Sequence, residues 1–211
     1  MAKTQAPKAR HPMLNRILHE TIMASIILLA LTGFYIHAPF INNGGGFLMA
    51  LMRGVHFAAA GILVVAFVIR VIWMFVSPSR DWKNFIPGFR DLLLLPKVLL
   101  HYAHISKKPN IVKKYNPLQM LAYCMAYVLA FFQILTGFML QYPDGILRPI
   151  TYGVFGNSVN VRVAHYIVSW IFVIFILIHV YMAIRESFKD IKEIHLFSQG
   201  EAEHSSTEKA E

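Results

Sequence analysis

The residues with the most chemistry to offer in this chain are histidines, placed where histidine is costly. The run HYIVSWIFVIFILIH, residues 165–179, has an imidazole at each end and no charged residue between them. A fourteen-residue step along an α-helix rises about 21 Å and turns about 1400°, close to four whole turns. His165 and His179 therefore share one helix face at two depths. Two more histidines lie in similar surroundings, His56 in RGVHFAAAGILVVAFVIRVIW and His19 in RILHETIMASIILLALTGFYI. An imidazole buried among apolar side chains is expensive without a partner, so all four are candidates for ligation.

The elements that hold them are membrane spans. Hydrophobic residues make up 56% of the 211, charged residues only 15%, and the mean hydropathy is +0.51. A soluble domain carries about 25% charged residues. Four stretches, at about 16–36, 53–77, 117–142 and 161–186, meet the roughly 20 residues a helix needs to cross a bilayer core. They must be helical, because lipid offers no partner to a free backbone N–H or C=O. The cleanest is the third: Pro117 to Tyr142 contains no Asp, Glu, Lys, Arg or His. The first span lacks a small-residue cleavage site after it and is read as a span, not a signal peptide. Cys124, the one cysteine, is read as a small packing residue; alone it forms neither an internal disulfide nor a cysteine metal cluster.

Charge sets the expected orientation. The net charge is +9, and sixteen of the 20 Lys and Arg residues lie before span one, between spans two and three, or after span four. The loops at about 37–52 and 143–160 contain only Arg148. Basic residues stay on the cytoplasmic side, so both termini are expected there. Because the basic charge flanks membrane spans, a nucleic-acid reading of the high pI fails. Within the cytoplasmic segment, FRDLLLLPKVLLHYAHISKKP is read as an interfacial helix over about 85–105, broken by Pro96. Residues 1–15 are read as a cytoplasmic tail, 16–197 as the four-span domain, and 198–211 as a disordered polar tail.

With this orientation the histidines fall into pairs. Helices two and four run inward, and His56 and His165 each follow an arginine, Arg53 and Arg162, by three residues. Helix one runs outward, which puts His19, near its start, at the depth of His179. Facing imidazoles on neighbouring helices are what a six-coordinate haem requires as axial ligands. No CxxCH occurs, so the haems would be non-covalent, of b type. Gly33 is fourteen residues beyond His19, at the outer level, where a glycine lets a flat macrocycle approach. Arg70 is fourteen beyond His56, at the inner level, where a buried arginine needs an anion such as a propionate. Arg53 and Arg162 are placed to serve propionates at the outer level. The expected fold is all-α, a membrane four-helix bundle binding two b-type haems. A zinc or copper site is a weaker reading, since all four histidines cannot converge on one point when two lie about 21 Å apart on one helix. Individually, Gly33 could serve helix packing and Arg70 another partner. His37, His101, His104, His195 and His204 are read as surface residues.

These motifs carry a resemblance. R-x-x-H followed fourteen residues later by the glycine of a Thr-Gly pair, RGVHFAAAGILVVAFVIRVIW, YNPLQ with LTGFML in helix three, and H-x13-HVYMAIRE together resemble the di-haem cytochrome b subunit of membrane-bound nickel–iron hydrogenases, related to the gamma subunit of formate dehydrogenase. The likeness spans about residues 10–190, and GNS at 156–158 with HVYMAIRE is closer to the hydrogenase branch. It implies that His56 and His165 ligate an outer haem and His19 and His179 an inner one. Electrons would pass inward from the hydrogenase small and large subunits, or an equivalent dehydrogenase on the outer face, to menaquinone or ubiquinone. It also implies a quinone site at Asn116, with Gln119 one turn on. Asn before Pro is equally a good helix start. Two positions depart from the family: Glu20, where many members have tryptophan, and Ala60, where relatives often have glycine.

Rival readings stay open at this point. The same helices would serve a formate dehydrogenase or another molybdenum oxidoreductase. A freestanding ferric or ascorbate reductase would need an outer substrate site, for which the short outer loops offer little. A haem-free structural anchor or small transporter is the rival of another class.

Overall fold

The computed structural model describes residues 13–41, 46–77, 82, 86–107, 109, 115–186 and 191. The tails read at 1–15 and 198–211 therefore lie almost wholly outside the described residues, as do His195 and His204. Six helices make up the described chain: α1 (Met13–His37), α2 (Gly46–Val76), α3 (Phe89–Tyr102), α4 (Pro117–Gln141), α5 (Arg148–Gly153) and α6 (Ser158–Glu186). No strand occurs among the described residues, and the fold is all-α. Four helices, α1, α2, α4 and α6, are long and apolar enough to cross a membrane. At most 17% of the central window of any of them is buried within the chain. Apolar helices that bury so little of themselves find their stability in lipid or against partner chains, not in water.

The expected spans are met with one clear difference. Helix α2 begins at Gly46, seven residues before Arg53, because Phe47 to Met52 are apolar helix formers that continue the span outward. Its 31 residues would reach about 46 Å, well beyond a hydrocarbon core of about 30 Å. Arg53 thus sits inside the helix, exposed, rather than at its start.

The chain divides into two compact units, one of residues 1–71 and 183–211, the other of 72–182. In the first, α1 and α2 meet along Thr32, Gly33 and His56, and the Tyr35 hydroxyl donates to the Ile41 carbonyl at 2.8 Å, fixing the exit from α1. In the second, a small core forms from Val98, Tyr102 and Met182, with Leu118 and Ala122 against it. It joins α3 to α4 and α6. Helix α3 starts where the Asp91 carboxylate accepts from the Gly88 N–H at 2.7 Å, an acidic group suited to a helix N-terminus. It runs unbroken through Pro96, contrary to the expected break. Proline forfeits one backbone hydrogen bond there, and the helix on both sides holds.

Candidate haem-ligand site

His56 and His165 are each gripped by the same short segment. LTGF occurs at 31–34 on α1 and again at 135–138 on α4. In the first unit, Thr32 Oγ1 lies 2.9 Å from His56 Nδ1, and a Cβ added to Gly33 would stand 3.2 Å from His56 Cε1. In the second, Thr136 Oγ1 lies 2.8 Å from His165 Nδ1, and a Cβ on Gly137 would stand 3.7 Å from His165 Cε1. In both cases one edge of the ring rests on a threonine–glycine step of the neighbouring helix. Both threonines are buried, Thr136 completely.

Helix periodicity explains the grip on His165. Gln133, Thr136 and Gly137 fall at i, i+3 and i+4 and so share a face of α4. Gln133 Nε2 donates to the His165 carbonyl at 3.0 Å and to Ser169 Oγ at 2.9 Å, while Ser169 Oγ donates to the same carbonyl at 2.8 Å. Backbone and ring of His165 are thereby both anchored to α4.

His179 is held differently. Its ring stacks on Phe175, one turn earlier on α6, with centroids 5.8 Å apart and planes 25° from parallel. His19 is half-buried on α1. Arg70 Nη1 and Trp73 Nε1 are buried donors on α2 with no hydrogen-bond partner. They stand three residues apart, on one face of the helix. Arg53 and Arg162 are exposed, so burial marks out Arg70 among the three arginines. A Cβ on Gly61, next to the departure at Ala60, would meet nothing within 4 Å.

At the start of α4, Asn116 and Gln119 form a reciprocal cap. Asn116 Oδ1 accepts from the Gln119 N–H at 2.8 Å, and Gln119 Oε1 accepts from the Asn116 N–H at 3.0 Å. Asn116 Nδ2 donates to the Tyr102 hydroxyl at 3.0 Å, and the Tyr181 hydroxyl donates to the Tyr102 carbonyl at 2.7 Å. The end of α3, the start of α4 and the residue two beyond His179 are thus tied together. Among the surface histidines, His37 and His104 are exposed, and His101 donates from Nδ1 to the Ser106 carbonyl at 3.2 Å.

Sequence reasoning missed Thr32, Thr136, Gln133, Gly137, Ser169 and Phe175 as parts of these sites. The signal available for the first four was the repeated LTGF and the polar Gln133 just before the second copy, in a span without charged residues.

The sequence pattern of the prokaryotic cytochrome b561 family matches residues 10–196. The chain belongs to this family. A protein of Azotobacter vinelandii named as a probable Ni/Fe-hydrogenase B-type cytochrome subunit is 34% identical, the match covering 81% of this chain and 78% of the relative. One of the same name from Bradyrhizobium diazoefficiens is 33% identical over 81% of this chain and 75% of the relative. The probable Ni/Fe-hydrogenase 1 B-type cytochrome subunit of Escherichia coli K12 is 29% identical over 81% and 80%. As a cytochrome b561 family member with four apolar helices, the chain is a multi-pass membrane protein whose cofactor is haem b. Its residues fit that group. The imidazoles are suitable axial ligands, a Cβ on Gly33 would crowd the His56 ring, and the buried Arg70 Nη1 suits an anion.

Proposed function

We propose that this cytochrome is the membrane subunit that carries electrons from a nickel–iron hydrogenase on the outer face to the quinone pool by way of two haems b. The hydrogenase link rests on the names of its relatives. The haem assignment rests chiefly on one observation: His56 and His165 are held by their Nδ1 edges in the same way on two different helices. Bound haem supplies reversible one-electron chemistry. His56 and His165 would hold the outer haem, and His19 and His179 the inner one. Gly33 makes room for the macrocycle, Arg70 offers its charge to a propionate at the inner level, and Arg53 and Arg162 serve the outer level.

Quinone, menaquinone or ubiquinone, is bound and reduced at the cytoplasmic end. Asn116 and Gln119 lie in the hydrogen-bonded group that includes Tyr181, close along α6 to His179. The cap occupies Gln119 Oε1 and leaves its amide N–H groups for a quinone carbonyl. With the charge bias of the loops, both termini are cytoplasmic in a bacterial or archaeal cell membrane. Helix α3 lies on the cytoplasmic leaflet, with Leu92, Leu93, Leu99 and Leu100 exposed to lipid.

The test is affinity purification of the chain from its own membranes. Hydrogenase large and small subunits are expected with it, and hydrogen should reduce added quinone. A molybdenum oxidoreductase in their place would reassign the donor, and a colourless preparation would sink the haem reading.

A further inference from the structure

Resting on the haem reading above, we infer that Thr32 and Thr136 are paired positioning residues that fix the tautomer of the outer haem's ligands and lower that haem's potential. A hydroxyl has one proton to give. Thr32 Oγ1 stands 2.6 Å from the Leu28 carbonyl, and Thr136 Oγ1 stands 2.8 Å from the Phe132 carbonyl. A carbonyl only accepts, so each hydroxyl proton is committed to the turn below it. With the hydroxyl proton on that carbonyl, each threonine oxygen accepts from His56 Nδ1, at 2.9 Å, and from His165 Nδ1, at 2.8 Å. Nδ1 carries the ring proton in both histidines, and Nε2 is left as the unprotonated nitrogen with a lone pair for iron.

The arrangement does more than choose a tautomer. Donating the Nδ1 proton into a hydrogen bond makes an imidazole a stronger electron donor through Nε2, and a stronger axial donor favours ferric over ferrous iron. Both ligands of the outer haem receive this help. His179, by contrast, makes no side-chain hydrogen bond among the described residues and is held by stacking on Phe175. The hydrogen bonds at His56 and His165 push the outer haem to lower potential than it would have without the two threonines. The same tetrapeptide serves both positions, so the effect is built twice.

The experiment is a redox titration of the purified complex with its two haems resolved, for the unaltered chain, Thr32→Val, Thr136→Val, the double variant and the matching Thr→Ser variants. Valine keeps the shape and removes the acceptor; serine restores it. The expected result is an upward midpoint shift confined to the outer haem in each valine variant, larger in the double variant and reversed by serine. An unshifted outer haem in both valine variants, or an equal shift at both haems, overturns the inference while the two-haem reading stands. That reading fails separately, if His56→Ala leaves the haem spectrum intact. Should the valine variants not assemble, a density map of the haem-loaded native chain decides. Iron on Nε2 with the threonine oxygens on Nδ1 upholds the inference, and iron on Nδ1 or threonines turned away overturns it.

Discussion

Gly33 and Gly137 stand beside equivalent histidines but differ in the room they leave, 3.2 Å against 3.7 Å to the imidazole Cε1. The closer distance is tighter than an ordinary carbon contact, so Gly33→Ala must push the His56 ring by a few tenths of an ångström, while Gly137→Ala fits in van der Waals contact. Haem content per chain in purified Gly33→Ala should fall severalfold, and in Gly137→Ala it should stay near that of the unaltered chain; pigment analysis against protein concentration reads the difference. The four proposed ligands could be picked out in the sequence because a histidine in an apolar run stands out against its neighbours. The threonines were not. In a membrane helix a threonine satisfies itself on the carbonyl one turn back, so its presence costs little and signals nothing by itself. Only the distance to a histidine two dozen or more residues away gives it a role, and that distance exists only in the fold.

Among the elements, the cap of α4 separates structure from function. Asn116→Ala removes both the cap acceptor and the donor to Tyr102, and should destabilise the α3–α4 junction by roughly 1 kcal/mol. Asn116→Asp keeps the cap acceptor and should recover most of that loss in thermal unfolding of the purified complex. If the amide also serves quinone, Asn116→Asp will still lower quinone reduction severalfold, and Gln119→Glu will do the same. Unchanged quinone kinetics in both would confine these residues to capping. The YNPLQ start of this helix could be read in the sequence, since Asn, Pro and Gln at N-cap, N1 and N3 satisfy the backbone groups a helix start leaves open. The outward extension of α2 could not. An arginine at position 53 looks like a boundary, yet apolar helix formers on both sides carry the helix past it. Pro96 misled in the same way, because a proline removes one backbone bond without ending a helix whose neighbouring turns pack on α4.

The whole molecule is proposed to move electrons in one direction across the bilayer. Four apolar helices and one-sided basic charge were plain in composition, because the bilayer fixes both length and sign. In the proposed orientation, electron entry outside and proton uptake by quinone inside would make turnover electrogenic. Hydrogen-driven quinone reduction by the complex in sealed vesicles should therefore build a membrane potential, read with a voltage-sensitive dye; steady turnover with no potential would contradict the proposed orientation of the sites. Ligand order has its own signature. His19→Ala or His179→Ala should leave the outer haem reducible by hydrogen and abolish quinone reduction, whereas His56→Ala or His165→Ala should stop reduction altogether. The most direct measurement is the haem count per chain in the purified native complex, from its reduced-minus-oxidised spectrum, together with the same count for His165→Ala and His179→Ala. Two b haems are expected in the native chain, and loss of a spectrally different one in each variant. One haem or none in the native chain, or loss of the same haem in both variants, would contradict it.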